Sequence, residues 1–313
     1  MTDLAQITAL DNTTDGLDID GAIDTLLYSL SETSRRIYAR TYIRWLDFAE
    51  ANELHPMDMR SRNLIAFLEM DNLSHSTKSA RLSHMRRLIQ ALYAERPDNV
   101  TLQSMMEQAK LLKVKRRADD VKTERNKTAL TRQQVYEAFN VWHEDRLLHV
   151  RNRALLAILF YGGLRRSEVA VLTWQDVDLN GMLLHIRHGK GDKDRTIPLL
   201  GGDDTREKIM AWREVTLGRT YVFCGMRKGD NLTDDTPMSD QAVYDVIKAT
   251  SDAVGVDFAP HDARRTLLTR MLSAGTSVSD AQFMAGHSDP QTTLRYAVVK
   301  DANEVRGRVK LDY

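Results

Sequence analysis

Strand-forming sequence is confined to one short region of this chain, and that restriction sets the fold class. Val177 to Leu179, Leu183 to Arg187 and Arg195 to Leu199 read as strands, with turns at Asn180-Gly181 and Gly189-Lys190-Gly191-Asp192. The rest of the readable pattern is helical. The expected fold is therefore mainly α, with a small three-stranded antiparallel sheet inside an α-rich C-terminal domain.

At 313 residues the chain is long enough for two domains with cores of their own. Hydrophobic and charged fractions of 42% and 28% fit a soluble globular protein. No apolar run approaches the roughly 20 residues that span a bilayer, and no secretory signal is seen at the N-terminus. The single cysteine, Cys224, cannot form an internal disulfide; it fits a reducing cytoplasm and reads as a packed small hydrophobe.

A net charge of zero hides an uneven distribution. Residues 1–30 hold six aspartates and no Glu, Lys or Arg, whereas residues 31–127 hold 19 basic and 13 acidic residues. Residues 1–16 are expected to be an acidic, disordered head, and Leu17 to Leu30 a short helix or arm. Ser31 then opens a helix with Tyr38, Tyr42, Trp45 and Ala49 on one face and Arg36, Arg40 and Arg44 outward. A second amphipathic segment, Thr77 to Tyr93, buries Leu82, Met85, Ile89 and Leu92 and takes its charge from Lys78, Arg81, Arg86 and Arg87. Two basic-faced helices in one small module point to phosphate contacts; solvated faces are the plainer alternative. The stretch 113–127, with Lys115, Arg116 and Arg117, reads as a basic linker between a helical domain at 17–112 and a second domain at 128–313. In the second domain Thr131 caps a helix, and an apolar helix from Arg153 to Tyr161 stops at Gly162-Gly163.

Four local phrases in this second domain carry candidate chemistry. Arg165 follows the Gly-Gly break and opens a helix at Ser167–Leu172, where guanidinium and backbone N–H groups can meet a phosphate. Alone, it reads more readily as half of a surface salt bridge, to Glu168. Lys190 sits at a glycine-flanked hairpin tip, a point charge able to protonate a leaving oxygen. His261 and Arg264, three apart after Pro260, share one face of a helix N-terminus, suited to an anion and a proton transfer rather than to a metal. His287 follows Gly286 at another helix break, and Tyr296 lies nine residues on. A phenol with a free pKa near ~10 needs cations and a base beside it to act as a nucleophile.

These phrases, in this order, closely resemble those of the tyrosine recombinases, the phage-integrase and Xer-like group. Gly163-Leu164-Arg165 with Ser167-Glu168 is similar to the family's first-arginine motif, and Gly189-Lys190-Gly191 with Arg195 and Pro198-Leu199 to its β-hairpin lysine motif. His261-Asp262-Ala263-Arg264 is similar to its His-x-x-Arg box, and Gly286-His287 through Tyr296 to its terminal histidine and tyrosine. Ala263 stands where the family commonly has Leu, and Arg265 where Xer-like members often have His. The helical N-terminal module resembles the family's SAM-like core-binding domain.

The resemblance implies a site-specific recombinase, acting through a 3′-phosphotyrosyl intermediate and a Holliday junction in integration, excision or dimer resolution. Tyr296 would be the nucleophile, Arg165 and Arg264 the phosphate clamp, Lys190 the general acid, His261 the general base and acid, and His287 a phosphate hydrogen-bonding group. No cofactor is implied, because the covalent link conserves the bond energy. Partners would be double-stranded DNA sites, three further copies in a tetramer on two sites, and accessory DNA-bending proteins, with no membrane. The location would be the cytoplasm, at the nucleoid, and the segment after Tyr296 would dock on a neighbouring copy. A type IB topoisomerase, or a non-catalytic DNA-binding protein retaining the fold, are the alternatives.

Overall fold

The computed structural model describes residues 18–115, 129–187, 194–227 and 229–296. The acidic head, Lys190, Arg116, Arg117 and the segment after Tyr296 lie outside the described residues. The chain divides into two compact units, residues 1–125 and 126–313, and each is considered alone.

The first unit is helical. Its elements are α1 (Ile19–Tyr28), α2 (Glu32–Ala51), α3 (Ser61–Glu69), α4 (His75–Glu95) and α5 (Val100–Leu111). Ser31, Ser74 and Asn99 begin α2, α4 and α5 by accepting hydrogen bonds from the amides of Ser34, Thr77 and Leu102. The stretch read as helix or arm is α1, which buries Ala22, Ile23 and Leu26. Tyr42, Trp45 and Ala49 on α2 are fully buried, as the pattern predicts. Trp45 meets Phe67 edge-on at 5.4 Å and donates its indole N–H to the Pro56 carbonyl at 2.8 Å.

The basic residues of α4 depart from expectation. Leu82, Met85, Ile89 and Leu92 face the core, yet Lys78 and Arg81 are buried with them. Lys78 pairs with Glu69 at 2.7 Å, and Arg81 pairs with Asp71 at 3.0 Å while lying over the Phe67 ring. Arg86 donates to the Ala109 carbonyl at 2.8 Å and the Leu112 carbonyl at 2.6 Å, closing the C-terminal end of α5. Long aliphatic stems let these cations run along the seam between helices and end on internal acceptors. Arg36 and Arg40 are exposed as expected; Arg44, half-exposed, shares Asp71 with Arg81 at 3.0 Å.

The second unit contains α6 (Arg132–Asn140), α7 (Leu147–Ala157), α8 (Arg166–Ala170), β1 (Val177–Asp178), β2 (Leu183–Ile186), β3 (Arg195–Pro198), α9 (Gly202–Val215), β4 (Cys224–Arg227), β5 (Asn231–Pro237), α10 (Asp240–Val254), α11 (Pro260–Ser273), α12 (Val278–Ala285) and α13 (Pro290–Leu294). The expected sheet is present as an antiparallel β1-β2-β3 order, with Leu184 opposite Ile197. Those two side chains join Leu155, Ile158, Leu159, Trp212, Phe223 and Ile247 in one core; Cys224 is buried, but outside the apolar cluster, with its thiol donating towards the Tyr221 carbonyl and the Asp235 carboxylate at 3.8 Å each.

Two features were not expected. A second hairpin, β4–β5, pairs Met226 with Leu232. Strand β5 is polar and largely exposed, so it lacks the alternation that marks a strand. Side-chain bonds reinforce its backbone ladder with β4: Asp235 accepts the Thr220 amide at 2.8 Å, and Thr233 donates to the Gly225 carbonyl at 3.0 Å. The hairpin also explains why α7 begins at Leu147, ahead of the expected Arg153. Asp230, on the β4–β5 turn, accepts the amides of Leu147 and Leu148 at 2.6 and 2.8 Å, capping α7 from a distant part of the chain. Helix α7 runs on into a single π-turn, Ile158–Gly162, and stops at Gly163 with φ +64°. A side chain at Gly163 would meet Leu267 at 2.7 Å, so the turn and its packing on α11 both require glycine. Among the described residues no helix is long and apolar enough to cross a membrane.

Arg86→Met should remove the donor for the α5 terminal carbonyls and lower the unfolding free energy by about 1–3 kcal/mol in urea melts.

Candidate active site

Three chain breaks bring the candidate residues together: Gly163 ahead of α8, Pro260 at the start of α11, and Gly286 at the end of α12. Gly286 ends α12 in the left-handed region (φ +57°), turning the carbonyls of Ala285 and Gly286 towards two arginines. Arg165 Nη2 donates to the Gly286 carbonyl at 2.7 Å and to Ala285 at 3.3 Å. Arg264, only 1% exposed, donates Nη1 to the Gly163 carbonyl at 2.8 Å and Nη2 to Ala285. Both guanidinium groups thus converge on one carbonyl.

Glu168, one turn into α8, is the counter-ion. It is buried, accepts the Arg165 amide at 2.8 Å and Arg165 Nη1 at 2.7 Å, and pairs with Arg195. Burial works to raise its carboxyl, but the bonds from Arg195 and the Arg165 amide, with both guanidinium charges, hold it below the usual carboxylate range. Arg264 is pulled down to about 10 by burial and by Arg165, so it remains a cation at neutral pH.

Tyr296 lies just beyond α13 and is 6% exposed. Its hydroxyl is 3.2 Å from His261 Nε2, which can accept the phenolic proton when the imidazole proton sits on Nδ1. The Tyr296 ring meets two other groups: His287 stacks at 5.9 Å with a 17° interplanar angle, and the Arg265 guanidinium stands 5.1 Å from the ring centroid. His287 is held in place by Thr293 Oγ1 at 2.9 Å from Nδ1 and by Gln282, which donates to its carbonyl at 2.9 Å. Burial, followed by the charges of Arg264, Arg165, His261 and Arg195, lowers the His287 pKa from 6.5 to about 4. It is neutral at physiological pH.

Among the described residues, five buried side-chain N or O atoms have no hydrogen-bond partner, and three of them are the Nε atoms of Arg195, Arg264 and Arg265. Buried donors without acceptors are rare. Of these, Arg265 Nε lies 3.6 Å from an Asp262 carboxylate oxygen, and Arg195 Nε packs against the Gly286 turn.

The phage integrase family model matches residues 128–303, more than half of the chain. This chain belongs to the phage integrase family, the tyrosine recombinases. A tyrosine recombinase XerD from Yersinia pestis is 30% identical over 280 residues, covering 85% of each chain. A tyrosine recombinase XerD from Proteus mirabilis is 29% identical over 276 residues, covering 84% of this chain and 81% of its own. The fold matches the Tn1549 transposon integrase, solved in complex with circular intermediate DNA, with a TM-score of 0.67 at 16% identity over 95% of this chain and all of that one. A lambda integrase dimer bound to a COC' core site matches with a TM-score of 0.65 at 16% identity, covering 88% and 95%.

In this tyrosine recombinase, five of the six residues singled out in the sequence, Arg165, His261, Arg264, His287 and Tyr296, gather at one place; Lys190 lies outside the described residues. The sequence offers Glu168 as a member of the first-arginine motif or, alternatively, as a surface partner of Arg165, and gives Arg195 no role beyond the hairpin motif. The signal for both was a Glu one turn after the first arginine and an Arg at the head of β3. Thr293, three residues before the tyrosine, carried no signal that would have distinguished it from its neighbour Thr292.

The depressed His287 pKa has a consequence for stability. Below pH 6.5 the unfolded chain takes up a proton that the folded site refuses until about pH 4. Stability contributed by the neutral ring is therefore present above that window and lost as pH falls through it. Denaturant melts across the window should show this loss, and His287→Gln should flatten it.

Proposed function

We propose that this recombinase cuts and rejoins double-stranded DNA at specific sites through a 3′-phosphotyrosyl intermediate. The observation that carries this reading is the Tyr296 hydroxyl 3.2 Å from His261 Nε2, beside the paired guanidinium groups of Arg165 and Arg264. The Tyr296 oxygen attacks the phosphorus as His261 takes its proton. The bond from phosphorus to the 5′-oxygen breaks, and Lys190 supplies the proton that makes this oxygen a free hydroxyl. Arg165 and Arg264 stabilise the charge on the non-bridging oxygens, and neutral His287 donates a further hydrogen bond. A 5′-hydroxyl from a second duplex reverses the step and releases Tyr296. Four copies on two sites would then exchange strands through a Holliday junction.

The exposed cations Arg36, Arg40 and Lys115 are assigned to DNA phosphates, along with Arg44, Arg116 and Arg117. Lys78, Arg81 and Arg86 are assigned to holding the first unit together. Arg40→Ala should weaken binding across all sequences and reduce the dependence of log affinity on log salt by about one.

The decisive experiment selects bound duplexes from a random DNA pool with the full chain, then offers the selected duplex with a nick that traps the cleaved strand. The unaltered chain should form a covalent adduct, and Tyr296→Phe should abolish it while site binding stays nearly unchanged. An adduct in that variant would discard Tyr296 as the nucleophile. Supercoil relaxation without joint molecules would mark a type IB topoisomerase, and binding with no adduct from either protein a non-catalytic fold.

A further inference from the structure

Arg195 is a cation of this site to which the chemistry above gives no task. It is the first residue of β3, its side chain is 8% exposed, and it meets Glu168 with two parallel bonds, Nη1 to Oε1 at 3.0 Å and Nη2 to Oε2 at 2.9 Å. The same two carboxylate oxygens hold Arg165, Oε1 through Nη1 at 2.7 Å and Oε2 through the backbone amide at 2.8 Å. Arg195 also packs flat against the turn that ends α12: a Cβ on Gly286 would stand 3.0 Å from both its Cζ and its Nε. That turn presents the carbonyl that accepts Arg165 Nη2 at 2.7 Å. Arg195 therefore touches both of the groups that fix the plane of the Arg165 guanidinium.

Its charge matters as much as its shape. A buried carboxylate paired with Arg165 alone would make a closed, neutral pair and cancel the field that Arg165 can direct at a phosphate. Sharing the carboxylate between two guanidinium groups leaves the trio with one net positive charge. A fork that bonds both oxygens at once is a geometry open to arginine and not to lysine.

We infer that Arg195 is a positioning residue for the phosphate clamp: through Glu168 and the Gly286 turn it sets the orientation of Arg165 and keeps its charge available to the substrate. The inference rests on the reading that this site acts on a phosphodiester. It extends that reading to a residue 30 positions away in sequence from the arginine it serves.

The test uses the full chain and the nicked duplex obtained by selection, prepared with either a phosphate or a methylphosphonate at the cleaved position. The methylphosphonate has a methyl group in place of one non-bridging oxygen and carries no charge, so it has less need of a charged clamp. On the phosphate duplex, Arg195→Met should slow adduct formation on the order of a hundredfold, with duplex binding nearly unchanged. On the methylphosphonate duplex its deficit relative to the unaltered chain should shrink by roughly tenfold. Arg195→Lys, which keeps a charge and loses the fork, should fall between the two proteins on phosphate.

Equal deficits on both duplexes would show that Arg195 only supports the fold, and an unaltered rate on phosphate would show that it does neither; each overturns the inference alone. If Arg195→Met shows no cooperative melt, Arg195→Lys carries the same comparison, with the same two overturning results. No adduct from the unaltered chain, matching Tyr296→Phe, would overturn the functional reading and this inference together.

Discussion

Two guanidinium groups of like charge are held together because both donate to the carbonyl of Ala285. At close range two such cations repel by several kcal/mol in a medium of intermediate polarity, so the arrangement needs a fixed acceptor and a nearby anion. The αL turn at Gly286 supplies the first, and Glu168 the second. Much of the second unit serves these two requirements. The π-turn and Gly163 set where α8 starts, and so where Arg165 and Glu168 stand. Pro260 starts α11, where Asp262 accepts the Ala259 amide at 2.9 Å and fixes the first turn that carries His261 and Arg264.

The same charges reach beyond the pair. His287 is denied its proton in part because Arg264 and Arg165 are close by, so the ring enters the site as a neutral donor rather than as a further cation. Tyr296 is placed by stacking on His287 and under Arg265. The Arg265 guanidinium stands 5.1 Å from the centroid of the phenol ring.

What could be read from the sequence was whatever is encoded locally. Gly-Gly before Arg165, Pro260 before His261 and Gly286 before His287 each mark a helix boundary within a few residues, and the three boundaries lie where those signals put them. Tyr42 and Trp45 face inward because a helical period of 3.6 residues is written in the residues themselves. What could not be read depends on partners far along the chain. The start of α7 is set by Asp230, 83 residues from Leu147. Strand β5 pairs with β4 and is reinforced by side-chain bonds, with no apolar alternation. Lys78 and Arg81 read as outward charges on residue type, although their spacing of four from Leu82 and Met85 sets them on the apolar face, where Glu69 and Asp71, nine and ten residues earlier, receive them. Glu168 read as a surface partner because the second arginine that buries it, Arg195, is 27 residues on.

The bonds of Arg264 carry one further consequence. Its partners at Nη1 and Nη2 are backbone carbonyls, Gly163 and Ala285, and a carbonyl is a dipole without net charge. These two oxygens do for the buried cation what water would do in solution, but they are fixed by the chain and cannot turn. A guanidinium solvated in this way keeps its full charge and its orientation before any ligand arrives. When negative charge develops beside it, no solvent shell has to be stripped or rearranged, and the protein has met that reorganisation cost in advance, during folding.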